Sequence, residues 1–180
     1  MRILFNCTTN VIGGAVQNDA NFVKNTIHIE NEKNSFIYLA SPQVNEILTK
    51  WGIRSDFIFV LESPSKNFHV RKKISSIEKQ FSPDIIYTMA GPAYVRFSGF
   101  HVMGISDPYI THGDLDSFIH GRTVLAALNH AAKTLIKGCI ARFSANHFIF
   151  QTETSLNGFC KRFFLRKNIP LYYLMRLALI

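Results

Sequence analysis

Seven positions in this sequence are of a type and placement that could do chemistry: Gly13, Gly14, Gly91, Asp107, His112, Thr152 and Glu153. His112 closes the polar loop Ser106 to His112, where an imidazole could act as a general base or donate a hydrogen bond to a sugar or phosphate oxygen. Asp107 precedes Pro108, a pairing that also caps a turn with no ligand involved. The pair Gly13-Gly14 lets a ligand approach bare backbone; equally, it lets the chain turn with positive φ and the next helix pack close. Thr152-Glu153 opens a helical stretch, where the carboxylate is either a ligand contact or a favourable first-turn charge. No histidine pair has H-x-x-x-H spacing on a convincing helix, and Cys7, Cys139 and Cys160 include no C-x-x-C, so neither a metal nor a disulfide framework is expected. The fingerprints G-x-G-x-x-G and G-x-x-x-x-G-K-[ST] are absent, and the second apolar run ends in Leu39-Ala40-Ser41 with no acidic residue to hold a ribose. Nicotinamide and P-loop chemistry are therefore disfavoured.

These residues can cooperate only if the elements bring them together. Met1 to Ile27 reads as a strand, a glycine loop and a helix, because Arg2 to Phe5 is a short β-forming run and Val16, Ala20, Val23 and Ile27 recur at helical spacing. Phe36 to Leu39, Phe57 to Leu61, Ile85 to Met89, His101 to Ile105 and His147 to Gln151 read as five more strands. Between them, Ser41-Pro42 caps a helix carrying Val44, Ile47, Leu48 and Trp51, and Val70, Ile74, Ile77 and Phe81 mark another. A short helical stretch is expected over Ala93 to Phe97. One long helix is expected from Leu115 to Phe143, with Leu125, Leu128, Ala132, Leu135 and Cys139 on a core seam and Asn129, Lys133 and Lys137 outside it. Strands alternating with helices predict an α/β, Rossmann-like, doubly wound and mainly parallel six-stranded sheet flanked by helices. The loops carrying Gly13-Gly14, Gly91-Pro92, Asp107 to His112 and Thr152-Glu153 all leave carboxyl ends of strands, so they should gather on one rim, the usual ligand position of such a sheet.

At 180 residues the chain has the length of one domain, and 47% apolar content excludes general disorder. A formal charge of +8 suits an anionic partner: phosphate, nucleotide, acidic lipid or nucleic acid. No apolar run is long enough for a spanning helix or a signal-peptide core, so a cytoplasmic protein is expected, at most peripheral at the inner face of a membrane. Lys161, Arg162, Arg166 and Lys167 beside Phe163 and Phe164 make either a solvated helix face or a surface attracted to acidic lipid.

Read together, MRILFNCTTNVIGGAVQNDANFV, SPDIIYTMAGPAYVRFSGFHVMGISDPYITH and ANHFIFQTETSLNGFCKRF resemble the N-terminal half of a GT-B glycosyltransferase, of the retaining, sugar-nucleotide-dependent kind found in bacterial surface-polysaccharide assembly. The resemblance implies one half of a GT-B fold over residues 1–167. It implies Gly13 and Gly14 near the donor pyrophosphate, His112 near sugar and acceptor as the catalytic candidate, and Gly91, Asp107, Thr152 and Glu153 on the same cleft. It further implies a nucleotide-sugar substrate, a saccharide or lipid-linked acceptor, and no cofactor or metal. Residues 168–180 depart from the family pattern and read as an atypical apolar tail, the expectation being a truncated or out-of-frame end. Without a second domain the chain alone should be inactive. The alternative is a non-catalytic partner subunit that supplies the acceptor half to a separate donor-binding chain. Nucleic-acid binding, suggested only by charge, ranks last.

Overall fold

The computed structural model describes residues 1–29, 35–163 and the backbone of Tyr172 and Tyr173. The polar turn Asn31 to Asn34, the cluster residues Phe164, Arg166 and Lys167, and the rest of the apolar tail lie outside the described residues. In chain order the elements are β1 (Arg2–Cys7), α1 (Gly14–Thr26), β2 (Ser35–Ala40), α2 (Pro42–Lys50), β3 (Ile58–Val60), α3 (Phe68–Phe81), β4 (Ile85–Thr88), β5 (Phe100–Ile105), α4 (Pro108–Thr111), α5 (Leu115–Ile119), α6 (Val124–Ser144), β6 (His147–Phe150), α7 (Glu153–Phe163) and β7 (Tyr172–Tyr173).

The strands form one sheet in the order β3-β2-β1-β4-β5-β6-β7, every neighbouring pair parallel. The expected doubly wound α/β sheet is therefore present, and the two-residue β7 extends it beyond β6, with Ile149 opposite Tyr172. Alternation along β1 divides the core. Leu4 faces a layer containing Ile74 of α3, Ala141 of α6 and Phe159 and Phe163 of α7, whereas Phe5 and Cys7 face Val16, Ala20 and Val23 of α1 and Val44 and Leu48 of α2. Helices on both faces of an all-parallel sheet explain why β1 and β2 read as near-continuous apolar runs. Ser41 caps α2 as expected, its Oγ accepting from the Val44 N–H while donating to the Asn10 carbonyl.

Three local expectations change. Ala93 to Phe97 is an irregular segment, because Ala93, Val95 and Phe97 enter the core alternately, a period of two rather than 3.6. It follows a cis Gly91-Pro92 bond. The long helix is two helices: α5 ends before Gly121, whose φ is +68°, and α6 restarts with Thr123 as its cap. The third change is the orientation of α6. The seam Leu125, Leu128, Leu135 and Cys139 is exposed, and the small residues Ala127, Thr134, Gly138 and Ala141 face the core instead. Gly138 allows this, since a Cβ there would overlap the Phe163 ring.

Candidate functional site

Strand order reverses at β1, whose neighbours are β2 on one side and β4 on the other, so the loops after β1 and β4 diverge and leave a crevice beyond their carboxyl ends. A cavity of about 120 Å³ lies there, lined by Thr9 and Asn10 from the first loop, Ala90, Gly91, Pro92 and Tyr94 from the second, and Asp107 and Lys137. Thr9 Oγ1 donates to the Ala90 carbonyl at 3.1 Å and joins the two loops. Through Ala90 the crevice adjoins a larger cavity of about 520 Å³ on the α1 face, reaching from Ala15 and Asn18 across Gly104 and Ser106 to Gln151. Among the described residues, the apolar layer on that face contains only α1 and α2 of the helices, which leaves the β5–β6 half of the sheet to form this floor.

A buried polar chain holds the rim from below. His101 Nδ1 lies 2.7 Å from the Ser144 carbonyl, which can only accept, so Nδ1 carries the proton and Nε2 accepts from the Thr88 hydroxyl at 2.8 Å. Thr88 Oγ1 accepts in turn from Asn6 Nδ2, and Asn6 Oδ1 accepts from both the N–H and the hydroxyl of Thr8, at the start of the first loop. Burial lowers the His101 pKa to about 4, against the opposing pull of its bond to Ser144, so the imidazole is neutral. On the other face, Asp19 is fully buried and accepts from Asn10 Nδ2 at 2.6 Å through Oδ2, while its Oδ1 has no hydrogen-bond partner among the described residues. Burial raises its carboxyl to about 7, with the Asn10 bond pulling down. Asp19 and Ser41 together clamp Asn10, one by its side chain and one by its carbonyl.

Gly13 is the N-cap of α1, with φ +70°, and both glycines are exposed with open space where a Cβ would stand. The pair therefore does not serve close helix packing. Gly91 is different: a Cβ there would run into Met103, so glycine is required by the core while the residue lines the crevice. Asp107 caps α4, its Oδ1 accepting from the Tyr109 N–H, and its Oδ2 lies 4.0 Å from Lys137 Nζ at the cavity edge. Thr152 caps the start of α7 by accepting from the Ser155 N–H at 3.1 Å, and Glu153 is an exposed first-turn acid; Gln151 before them lines the larger cavity. His112 ends α4, exposed, with Nδ1 2.8 Å from Thr111 Oγ1, and lines neither cavity. Asn10, Tyr94 and Lys137, which line the crevice, and Asp19, which holds Asn10, are candidate site residues that pattern reading missed; Lys137 showed only as a polar position off a helix seam. Among the described residues, no group of three His, Cys, Asp or Glu is placed to hold a metal.

No family model matches the sequence, and no curated protein matches it significantly. Solved structures do share its fold. A glycosyltransferase from Rickettsia africae ESF-5 superimposes with a TM-score of 0.54 at 17% identity, over 97% of this chain and 42% of that one. A UDP-GlcNAc 2-epimerase from Neisseria meningitidis, bound to UDP-GlcNAc, gives 0.52 at 11% identity, over 96% of this chain and 45% of that one. The chain thus spans less than half the length of these neighbours.

Proposed function

We propose that this chain forms the N-terminal, acceptor-side half of a GT-B, sugar-nucleotide-dependent glycosyltransferase acting in surface-polysaccharide assembly, with a saccharide or lipid-linked acceptor. The observation that carries the reading is the crevice where strand order reverses, bordered by the loop that leads into an unobstructed glycine pair at the start of α1. Backbone N–H groups at such a helix start have no intrahelical acceptor and suit a diphosphate. Gly13 and Gly14 approach the donor diphosphate, while Asp107 Oδ2 and Lys137 Nζ offer an acceptor and a donor to sugar hydroxyls. Stabilising the leaving diphosphate also needs preorganised charge opposite this rim, which a facing domain supplies.

The exposed position of His112, outside both cavities, favours the second reading, a binding half without a catalytic base of its own that serves a separate donor-binding chain. The test is calorimetric titration with UDP-GlcNAc, alongside an assay of sugar transfer. The chain should bind weakly and transfer no sugar. Gly14→Leu should fold normally, because its Cβ enters open space, yet lose binding. Robust transfer by the chain alone would overturn the half-enzyme reading, and undiminished binding by Gly14→Leu would remove the glycine pair from the site.

A further inference from the structure

Helix α6 is mounted with its large apolar residues turned away from the protein. Leu125 is 79% exposed, Leu128 63% and Phe143 75%, with Leu135 and Ile136 between them also exposed. Successive 100° steps place all five within one stripe, opposite the buried Ala127, Thr134, Gly138 and Ala141. From Leu125 to Phe143 the stripe runs about 27 Å. Scattered single apolar residues are ordinary on a surface, but a continuous row of this length marks a contact face. Val124 and, on α5, Leu115 and Ile119 are exposed as well.

Charge selects the occupant. Helix α6 contains Lys133, Lys137 and Arg142 and no carboxylate. Lys133 is exposed beside the stripe, and the Arg142 guanidinium lies over the Phe143 ring, 5.5 Å from its centroid. Pairing two copies through this helix would bring the cations of both together with no acid on either helix to neutralise them; Asp114, at the start of α5, lies near Leu135 at one edge of the stripe. A headgroup layer of anionic lipid neutralises the flanking cations and takes the apolar side chains below it. No helix among the described residues is long and apolar enough to cross a membrane, so α6 would lie on the bilayer, not through it.

The cluster on α7 that first suggested lipid is a weaker candidate. Its Arg162 is turned inward and donates to the carbonyls of Tyr109, Ile110 and Gly113.

We infer that the outward face of α6 is a membrane-docking surface for anionic phospholipid. It stands independently of the nucleotide-sugar reading, because none of the stripe residues lines the crevice or its adjoining cavity.

The test is co-sedimentation of the full chain with vesicles of phosphatidylcholine alone and of an equimolar mixture with phosphatidylglycerol, with sedimentation equilibrium run in parallel. The chain should bind the mixed vesicles and bind the neutral ones far less, with affinity falling as salt rises. Leu125→Gln/Leu128→Gln should fold normally, since both side chains are exposed, and weaken binding by on the order of tenfold. Lys133→Ala should weaken it about fivefold. Binding that ignores the leucine substitutions would overturn the proposal. So would no vesicle binding at all, or a dimer in solution that the leucine substitutions dissociate, which would make a second copy the occupant.

Discussion

Burial shifts both Asp19 and His101 toward their neutral forms, with opposite consequences for stability. His101 has a folded pKa of about 4 against 6.5 in the open chain, so between those values the unfolded state binds more protons and stability rises with pH. Asp19 has a folded pKa of about 7 against 3.8, so the folded state holds the extra proton and stability falls as pH climbs through that window. Above pH 6.5 only the Asp19 effect is still changing. Asp19→Asn keeps an acceptor for Asn10 and removes the ionisable group. The variant should match the parent near pH 4 and exceed it by about 2–4 kcal/mol above pH 7. Thermal unfolding of both proteins across that range measures the difference, and a constant offset would mean that Asp19 is ionised in the fold.

At the scale of elements, α6 is positioned by what it lacks. Its core face is made of small residues, which brings its axis close to α7 and seats Phe163 against Gly138. Alanine is favoured over glycine in a helix interior by about 1 kcal/mol, whereas overfilling a packed site costs about 1–3 kcal/mol. Gly138→Ala should therefore destabilise the fold by up to about 2 kcal/mol in denaturant unfolding. Added to Phe163→Ala, the same substitution should become stabilising, because the ring it meets is gone. A destabilisation that is the same in both backgrounds would show that the contact is not what fixes the helix.

For the whole molecule, the question is where the sheet ends. Tyr172 and Tyr173 pair with Ile149 and Phe150, so part of the segment that departs in composition forms the outermost strand among the described residues. Ending the chain at Lys167 would uncover the edge of β6, whose Phe148 and Phe150 are fully buried. The shortened protein should melt lower and self-associate more in sedimentation. An unchanged melting temperature with less association would mean that the tail adds nothing to the sheet.

The strands, their parallel pairing and the cap at Ser41 follow from local rules: apolar runs of strand length alternating with helical periodicity, a first-turn proline, and a hydroxyl before the helix. The glycine loop after β1 was legible for the same reason. Other features depended on distant packing. Periodicity assigns Leu125, Leu128 and Leu135 to one stripe of a helix but carries no information on whether that stripe faces inward. The fit of Gly138 against Phe163 of α7, with Ala127 and Thr134 buried on the same face, decided it. Ala93 to Phe97 is equally dense in apolar residues, and only its path across the core imposed a period of two. Asp19 reads as a polar position on an amphipathic helix, and its environment is created by Asn10 and Ser41 arriving from other elements. His112 has the chemistry expected of that loop, yet it lines neither cavity, and a side chain's direction at a helix end is set by backbone geometry that residue type does not encode.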